Sequence, residues 1–192
     1  QKNIVEGVEQ SLNRMHTEYL DIVQLHGSPS KDILNEHEVI QTLLDLRQQG
    51  KIRFIGTSST LPHINDHIDM DVFDTFQIPY SAIEPEHSDA ITKASKANSG
   101  TIIRGGIARG YTDESDEDKW DLWNQVEMDD LLDGASPNEF ILRFTITHPC
   151  LDTTIVGTSD SEHLRANLKS VEKGPLPNDI YAEAIRRLTK KT

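Results

Sequence analysis

The chain has 192 residues and a formal net charge of −13, from 32 acidic against 19 basic side chains. This length predicts a single domain, and 35% hydrophobic residues argue against a disordered chain. The acidic balance argues against nucleic-acid binding, and no apolar run approaches the roughly 18 residues of a membrane helix. The first residues do not resemble a secretory signal. With Cys150 as the single cysteine, we expect a cytoplasmic protein without a nucleic-acid or membrane partner.

Apolar spacing predicts helices and strands that alternate along the chain. In chain order these are helix 4–15, strand 19–25, a helix through 40–46, strand 51–56, helix 61–68, strand 74–79, helix 84–98, strand 101–104, helices 120–132 and 138–148, strand 153–156, and helices 161–171 and 178–188. Gly50 is a plausible end for the second helix. Ser136 and Pro137 are typical of a helix start and open the helix over 138–148.

Five strands alternating with helices are typical of βα units around a parallel sheet. An open doubly wound sheet and a (β/α)8 barrel both fit this pattern. A complete barrel needs eight strands and about 250 residues. The pattern therefore predicts either an open sheet or an incomplete barrel of about five βα units, and composition alone does not decide between them.

In both architectures ligands bind at the carboxyl ends of the strands. The predicted strands end in His26, segment 56–59, Gln77, segment 104–110 and segment 157–159. Two of these ends are near copies, since 54–59 and 155–160 each place a glycine and hydroxyl residues between a strand and a helix. Such loops bind anions and amides, and the alternative is an ordinary helix N-cap. His26 is either a proton donor or a structural imidazole.

Three other features favour structural interpretations. His63 and His67 are one helical turn apart, but no carboxylate or cysteine completes a metal site, so we predict an exposed helix face and no metal. The acidic segment 113–121 is predicted to be a solvated loop or lid. The glycines of segment 104–110 match no phosphate-loop motif.

Three segments, in order, resemble the aldo-keto reductase family. Residues 11–26 (SLNRMHTEYLDIVQLH) are similar to its segment SLxRLxxDYxDLxxxH, and residues 50–58 (GKIRFIGTS) to GKIRxIGxS. Residues 157–168 (GTSDSEHLRANL) are similar to GTxxxxHLxxNL. The resemblance implies a (β/α)8 barrel and nicotinamide-dependent carbonyl reduction. It further implies that this chain is the C-terminal two-thirds of the barrel, strands four to eight, within one partial domain spanning residues 1–192.

Carried over by position, the resemblance implies a role for several strand-end residues. His26 matches the active-site histidine that orients and polarises the substrate carbonyl. Ser58 and Gln77 match residues that hold the nicotinamide carboxamide, with Ser59 at a position where asparagine is more usual. Arg104 falls where an aromatic ring often lies against the nicotinamide, which is a departure from the family pattern.

The remaining cofactor contacts implied by the resemblance lie later in the chain. Those at the pyrophosphate are Gly105, Ile107, Ala108, Arg109 and Gly110. Those at the adenosine end are Gly157, Thr158, Ser159, His163 and Asn167. A Lys and an Arg that grip the 2′-phosphate in many members are absent near Gly157 and His163. Because the family usually uses NADPH, the resemblance implies NADPH as the cofactor, and the absence of this pair leaves NADH as the alternative.

The resemblance also shows what is missing from these 192 residues. The family's proton-donating Tyr, with its Lys and Asp partners, belongs to the first three βα units, and Tyr19, Tyr80, Tyr111 and Tyr181 do not match its motif. We therefore expect a reductase fragment that is inactive alone, whose parent reduces an aldehyde or ketone to an alcohol. The alternative is a non-catalytic nucleotide-sensing or interaction protein that self-associates through open sheet edges.

Overall fold

The computed structural model describes residues 2–106 and 117–190. Within these ranges helices and strands alternate along the chain. The helices are α1 (Lys2–Met15), α2 (Lys31–Glu36), α3 (Val39–Gln48), α4 (Ile64–Asp69), α5 (Ser88–Lys96), α6 (Glu117–Gln125), α7 (Pro137–Thr147), α8 (Ser161–Glu172) and α9 (Asn178–Thr189), with a 3₁₀ helix at Met128–Leu131. The strands are β1 (Leu20–His26), β2 (Ile52–Ser58), β3 (Thr75–Pro79), β4 (Gly100–Arg104) and β5 (Thr153–Thr154).

The strands form a five-stranded sheet in the order β1-β2-β3-β4-β5, with parallel pairing. The predicted α/β fold class with five strands is therefore confirmed. The chain divides into two compact units, Gln1–Ile78 with Thr92–Thr101 and Pro79–Ile91 with Ile102–Thr192. None of the helices in residues 2–106 and 117–190 is long and apolar enough to cross a membrane.

In the first unit, the apolar side chains in the middle of β1 and β2 differ in exposure between the two faces of the sheet. The register pairs Ile22 with Phe54, Gln24 with Gly56, His26 with Ser58, Gly56 with Thr75 and Ser58 with Gln77. Side chains alternate between the two faces along a strand. Ile22 and Phe54 lie on one face and are exposed, whereas Ile55 and Phe76 lie on the other face and are buried. The buried apolar residues of this unit include Val8, Leu12, Leu34, Leu43, Leu46, Ile52, Ile55, Ile64, Ile68, Phe73, Phe76 and Ile78.

The second unit has its core around α7. The helix packs against α8 and β5, and β5 pairs with β4 through Thr153 and Thr154. Tyr80 stacks on Phe144 with 5.6 Å between ring centroids, and Trp123 meets Phe140 edge to face at 5.7 Å. The buried apolar residues of this unit include Tyr80, Ile83, Ile103, Trp123, Met128, Phe140, Ile141, Leu142, Phe144, Leu176, Ala184 and Leu188.

The predicted elements are confirmed in type and order, with three differences. A separate helix, α2, follows the first strand, and its N-cap is Ser30, whose hydroxyl accepts a hydrogen bond from the Ile33 amide. The predicted helix 120–132 is interrupted at Glu127, where φ is +55°, and continues as the 3₁₀ helix. The predicted strand 153–156 pairs over only two residues. The predicted start of α7 is confirmed, because Ser136 Oγ accepts from the Glu139 amide at 3.2 Å.

Candidate functional site

Three polar side chains lie in register, at the carboxyl ends of β1 and β2 and in the middle of β3. Ser58 is the register partner of both His26 and Gln77. Residues in register on adjacent parallel strands point to the same face, and neighbouring strands are about 4.8 Å apart. The imidazole, hydroxyl and amide therefore form one row at the edge of the sheet. We call these three residues the strand-end row.

The strand-end row has hydrogen-bonding groups available to a ligand. In the described part of the chain, no side-chain hydrogen bond engages His26, Ser58 or Gln77. His26 is exposed, and it lines an open groove of about 460 Å³ beside α1 and β1. Ser58 is 9% exposed, and Gln77 is half-buried. An imidazole, a hydroxyl and a primary amide together can bind an amide and a carbonyl group.

Ser59 directly follows Ser58, but its side chain points away from the row and is fully buried. Ser59 Oγ lies 3.0 Å from Ser28 Oγ and 2.7 Å from Nδ1 of His67. Nε2 of His67 lies 2.7 Å from the carbonyl oxygen of Pro29. The hydroxyl of Ser59 is thus bound to other protein groups. The predicted contact of Ser59 with the cofactor stays a prediction. These hydrogen bonds do not favour it, because they already engage the hydroxyl.

The prediction of an exposed face for His63 and His67 is wrong for His67, which is buried at 1% exposure. Helix α4 is short and presents this side chain to Ser59 and to the loop after β1. Burial lowers the pKa of His67 below its ordinary value, although the hydrogen bond to Pro29 acts in the opposite direction. Across residues 2–106 and 117–190, no three His, Cys, Asp or Glu side chains are grouped to hold a metal ion.

In the second unit, Arg104 ends β4 with a buried Nε that has no hydrogen-bond partner among the described residues. Gly105 follows with φ of +72°, a conformation that favours glycine. An unpartnered guanidinium nitrogen at a strand end suits an anionic or planar ligand group. The predicted pyrophosphate-loop residues Ile107, Ala108, Arg109 and Gly110 lie outside the described residues.

The loop between β5 and α8 carries the second glycine-hydroxyl copy. Gly157, Thr158 and Ser159 are all exposed, and Thr158 Oγ1 accepts a hydrogen bond from the Asp160 amide at 3.1 Å. His163 Nε2 is 3.9 Å from Asp160 Oδ2. Asn167 Nδ2, on the same helix, is buried and has no hydrogen-bond partner in the described ranges.

The two near-copy loops differ in environment, and neither uses its hydroxyls as a helix cap. The N-cap of α4 is His63, which makes no capping side-chain hydrogen bond. The N-cap of α8 is Asp160, whose carboxylate accepts from the Glu162 amide at 2.8 Å. The ordinary N-cap interpretation is therefore wrong for segment 54–59, whereas segment 155–160 supplies the N-cap of α8 through Asp160. Among the described residues, no side-chain hydrogen bond engages Ser58 or Ser159, whereas the hydroxyl of Thr158 is bound to Asp160.

The acidic segment 113–121 lies partly outside the described residues. From Glu117 onward it is helical and forms the start of α6, so the predicted loop is corrected for that part. Trp120 and Trp123 meet edge to face at 5.5 Å. Trp123 is buried and donates from Nε1 to Asp129 at 2.9 Å. Both tryptophans contribute to packing.

A second buried polar cluster, which the sequence pattern did not indicate, lies in the second unit. The hydroxyls of Tyr80 and Tyr181 are 3.4 Å apart, and His148 Nε2 lies 3.1 Å from Ser88 Oγ. Burial raises the pKa of both tyrosines and lowers that of His148. Hydrophobic spacing alone carries no signal for such polar pairs inside a core.

Comparison with known proteins identifies the class to which this fold and these strand ends belong. The family model "Aldo/keto reductase family" matches residues 1–187, and the chain belongs to that family. The chain is 26% identical to "Uncharacterized oxidoreductase YqkF" of Bacillus subtilis, over 98% of the chain and 66% of that protein. It is 27% identical to "Putative voltage-gated potassium channel subunit beta" of Schizosaccharomyces pombe, over 89% of the chain and 59% of that protein.

Solved structures show the same fold. The holo form of aldo-keto reductase AKR11C1 from Bacillus halodurans superposes with a TM-score of 0.82 at 24% identity, covering 96% of this chain and 64% of that one. An aldo/keto reductase from Klebsiella pneumoniae in complex with NADP and acetate superposes with a TM-score of 0.69 at 21% identity, covering 95% and 64%. The fold is thus that of the family's (β/α)8 barrel, with five of its strands.

The chain spans less than two thirds of the length of the relatives and structures named above. The expectation that it is the C-terminal two-thirds of the barrel is off in detail. The family match runs from residue 1 to residue 187, which is nearly the whole chain.

Proposed function

We propose that this chain binds a nicotinamide dinucleotide and belongs to an oxidoreductase that reduces an aldehyde or ketone to an alcohol. NADPH is the proposed cofactor, with NADH as the alternative. The observation that carries the proposal is the strand-end row of the first unit, whose three side chains lie in register and make no side-chain hydrogen bond within the described ranges. Ser58 and Gln77 hold the nicotinamide carboxamide through the hydroxyl and the amide. His26 donates a hydrogen bond to the substrate carbonyl and polarises it.

For the second unit, we propose contacts with the phosphate and adenosine parts of the dinucleotide. Arg104 has a buried Nε without a partner among the described residues, which suits the flat nicotinamide ring or a phosphate oxygen. The exposed loop of Gly157, Thr158 and Ser159 offers hydroxyls and amides at the start of α8, with His163 and Asn167 further along the helix. Gly105 and the segment 107–110 complete the proposed pyrophosphate contacts.

When bound, the nicotinamide supplies the hydride for carbonyl reduction. The alcohol also needs a proton, and the described tyrosines are poorly placed to give it. Tyr19 precedes β1 and contacts the Arg53 guanidinium at 5.6 Å, so it lies at the amino end of the strands. Tyr80 and Tyr181 share a buried hydrogen bond, and burial raises their pKa. We therefore propose that the chain binds the cofactor, that none of the tyrosines in residues 2–106 and 117–190 supplies the acid, and that the chain is inactive alone.

The test is a calorimetric titration of the chain with NADPH and NADH, followed by an assay of aldehyde turnover. We expect saturable binding without turnover. Ser58→Ala should weaken binding about tenfold, the effect of losing roughly one ligand hydrogen bond. Ser95→Ala, the same substitution on α5, serves as the matched control and should bind as the wild type does. Equal affinity of the two variants would contradict the role of Ser58.

A second candidate is a non-catalytic nucleotide-sensing or interaction protein of the cytoplasm. The similarity to a protein named as a potassium channel subunit beta supports this alternative. So does the position of β1 and β5 at the two ends of the sheet order, because unpaired strand edges pair readily with other chains. Light scattering distinguishes the two proposals. Self-association favours the interaction protein, and a stable monomer counts against docking through the strand edges.

A further inference from the structure

The buried hydrogen bonds behind Ser58 have a defined direction. The carbonyl oxygen of Pro29 accepts only, so Nε2 of His67 carries the proton and donates to it. In the neutral ring, Nδ1 is then an acceptor, and the hydroxyl of Ser59 donates to it at 2.7 Å. Ser28 Oγ lies 3.0 Å from Ser59 Oγ. It donates to the carbonyl oxygen of Thr60 at 3.0 Å and accepts from the Thr60 amide at 3.2 Å. We call Ser28, Pro29, Ser59, Thr60 and His67 the buried network.

The buried network joins three parts of the first unit. Ser28 and Pro29 belong to the loop after β1, Ser59 and Thr60 follow β2, and His67 lies on α4. The Ser59 amide also donates to the carbonyl oxygen of Gln77 on β3 at 3.2 Å. Ser58 is the last residue of β2 and directly precedes these anchors. Its position is therefore fixed by groups that lie on the opposite face of the sheet.

We propose that His67 is a positioning residue for nicotinamide binding, acting through Ser59 to hold Ser58 in the strand-end row. The inference rests on the proposed function of that row. It assigns Ser59 a supporting role behind the ligand contacts, because its hydroxyl is committed to His67 and Ser28. Supporting hydrogen bonds of this kind keep a binding group in its productive orientation.

Protonation of His67 disrupts this arrangement. A doubly protonated ring donates from both nitrogens, so Nδ1 no longer accepts the hydroxyl proton of Ser59. The titratable groups that act on His67 are His63 and Asp66 of its own helix, with opposite effects. Pro29, Ser59 and Phe73, which contact the ring from other elements, are uncharged. Burial favours the neutral form of His67, whereas a low pH favours the protonated form.

Two substitutions separate positioning from simple packing. His67→Gln keeps an acceptor and a donor without a titratable group, and His67→Phe fills the volume without either. We expect His67→Phe to bind NADPH about tenfold more weakly, the effect of one unpaired buried hydroxyl. His67→Gln should bind at neutral pH with near wild-type affinity. His63→Gln, the same substitution one turn earlier on the chain, is the matched control.

The pH dependence gives a readout that packing alone does not move. As the pH falls below 6.5, the wild type should lose NADPH affinity more steeply than His67→Gln, because burial lowers the pKa of His67 from that value and the ring is protonated only in this acid range. Titration of NADPH itself is common to both proteins and cancels in the comparison. Parallel pH profiles for the two proteins would overturn the positioning role.

Amide hydrogen exchange tests the positioning role of His67 in the absence of a nucleotide. Exchange of the Ser59 and Thr60 amides should rise about tenfold in His67→Phe, for the loss of roughly one hydrogen bond. It should stay at the wild-type level in His67→Gln and His63→Gln. Unchanged exchange in a folded His67→Phe would overturn the positioning role by itself. Failure of the wild type to bind either nucleotide would instead overturn the proposed function.

Discussion

Replacing Gly56 by alanine tests the close packing of strands directly beneath the strand-end row. A Cβ at this position would lie 2.4 Å from Thr75 Oγ1, 2.7 Å from Gln24 Cγ and 3.3 Å from Ile22 Cγ2. Nonbonded heavy atoms prefer about 3.5–4.0 Å, so the nearest of these must move by about 1 Å. Overpacking of this kind costs about 1–3 kcal/mol. We expect Gly56→Ala to lower the free energy of unfolding by this amount.

The assay is urea denaturation followed by circular dichroism, with Gly7→Ala as the matched control. Gly7 lies inside α1, and a Cβ there meets no atom within 4 Å. Alanine in a helix interior is more stable than glycine by about 0.5–1 kcal/mol. The same substitution should therefore stabilise at Gly7 and destabilise at Gly56. Effects of the same sign, or a loss below about 0.5 kcal/mol for Gly56→Ala, would refute the packing argument.

Three further predictions concern stability and use the same denaturation assay. Burial lowers the pKa of His67 and of His148 below 6.5 in the folded chain. As the pH falls below 6.5, the unfolded chain binds protons that the folded chain does not. The free energy of unfolding should therefore fall by up to about 1.4 kcal/mol per pH unit for each group. Comparison at about pH 7.5 and about pH 5.5 measures this loss, which His67→Gln should reduce. Ser136→Ala removes the N-cap of α7 and should cost about 1 kcal/mol, whereas an unchanged midpoint would show that the cap is dispensable. Glu139→Gln leaves Arg143 and Lys173 without their shared carboxylate and should cost about 1–2 kcal/mol, because Lys173 is 55% exposed and water replaces part of the interaction.

Much of the fold is predictable because local signals and the final packing agree. The strand predicted over 51–56 has apolar residues and ends at Gly56, and the structure extends it to Ser58. The start of α7 is predictable from Ser136 and Pro137, since the cap uses only neighbouring residues. The short strand β5 is less predictable. Its pairing with β4 depends on residues about fifty positions away, which local spacing does not encode.

Part of the candidate site is likewise predictable from local sequence, and part depends on contacts between distant residues. The spacing places His26, Ser58 and Gln77 at strand ends, and parallel pairing brings them into register. The role of His67 depends on Ser59 and on Pro29, which is 38 residues away. A six-residue helix has too few turns for its apolar spacing to indicate which side is buried. Its buried histidine was therefore predicted on the wrong face.

Binding of the nicotinamide at the strand-end row is tested most directly by NMR titration of the ¹⁵N-labelled chain with NADPH. The chain has a mass of 21.6 kDa, which suits amide-resolved spectra. We predict saturable shifts of the amide signals of His26, Ser58 and Gln77, together with signals of the segment 157–159. Saturable binding that leaves all three amides of the strand-end row unmoved, or no binding of NADPH or NADH, would contradict the proposed site.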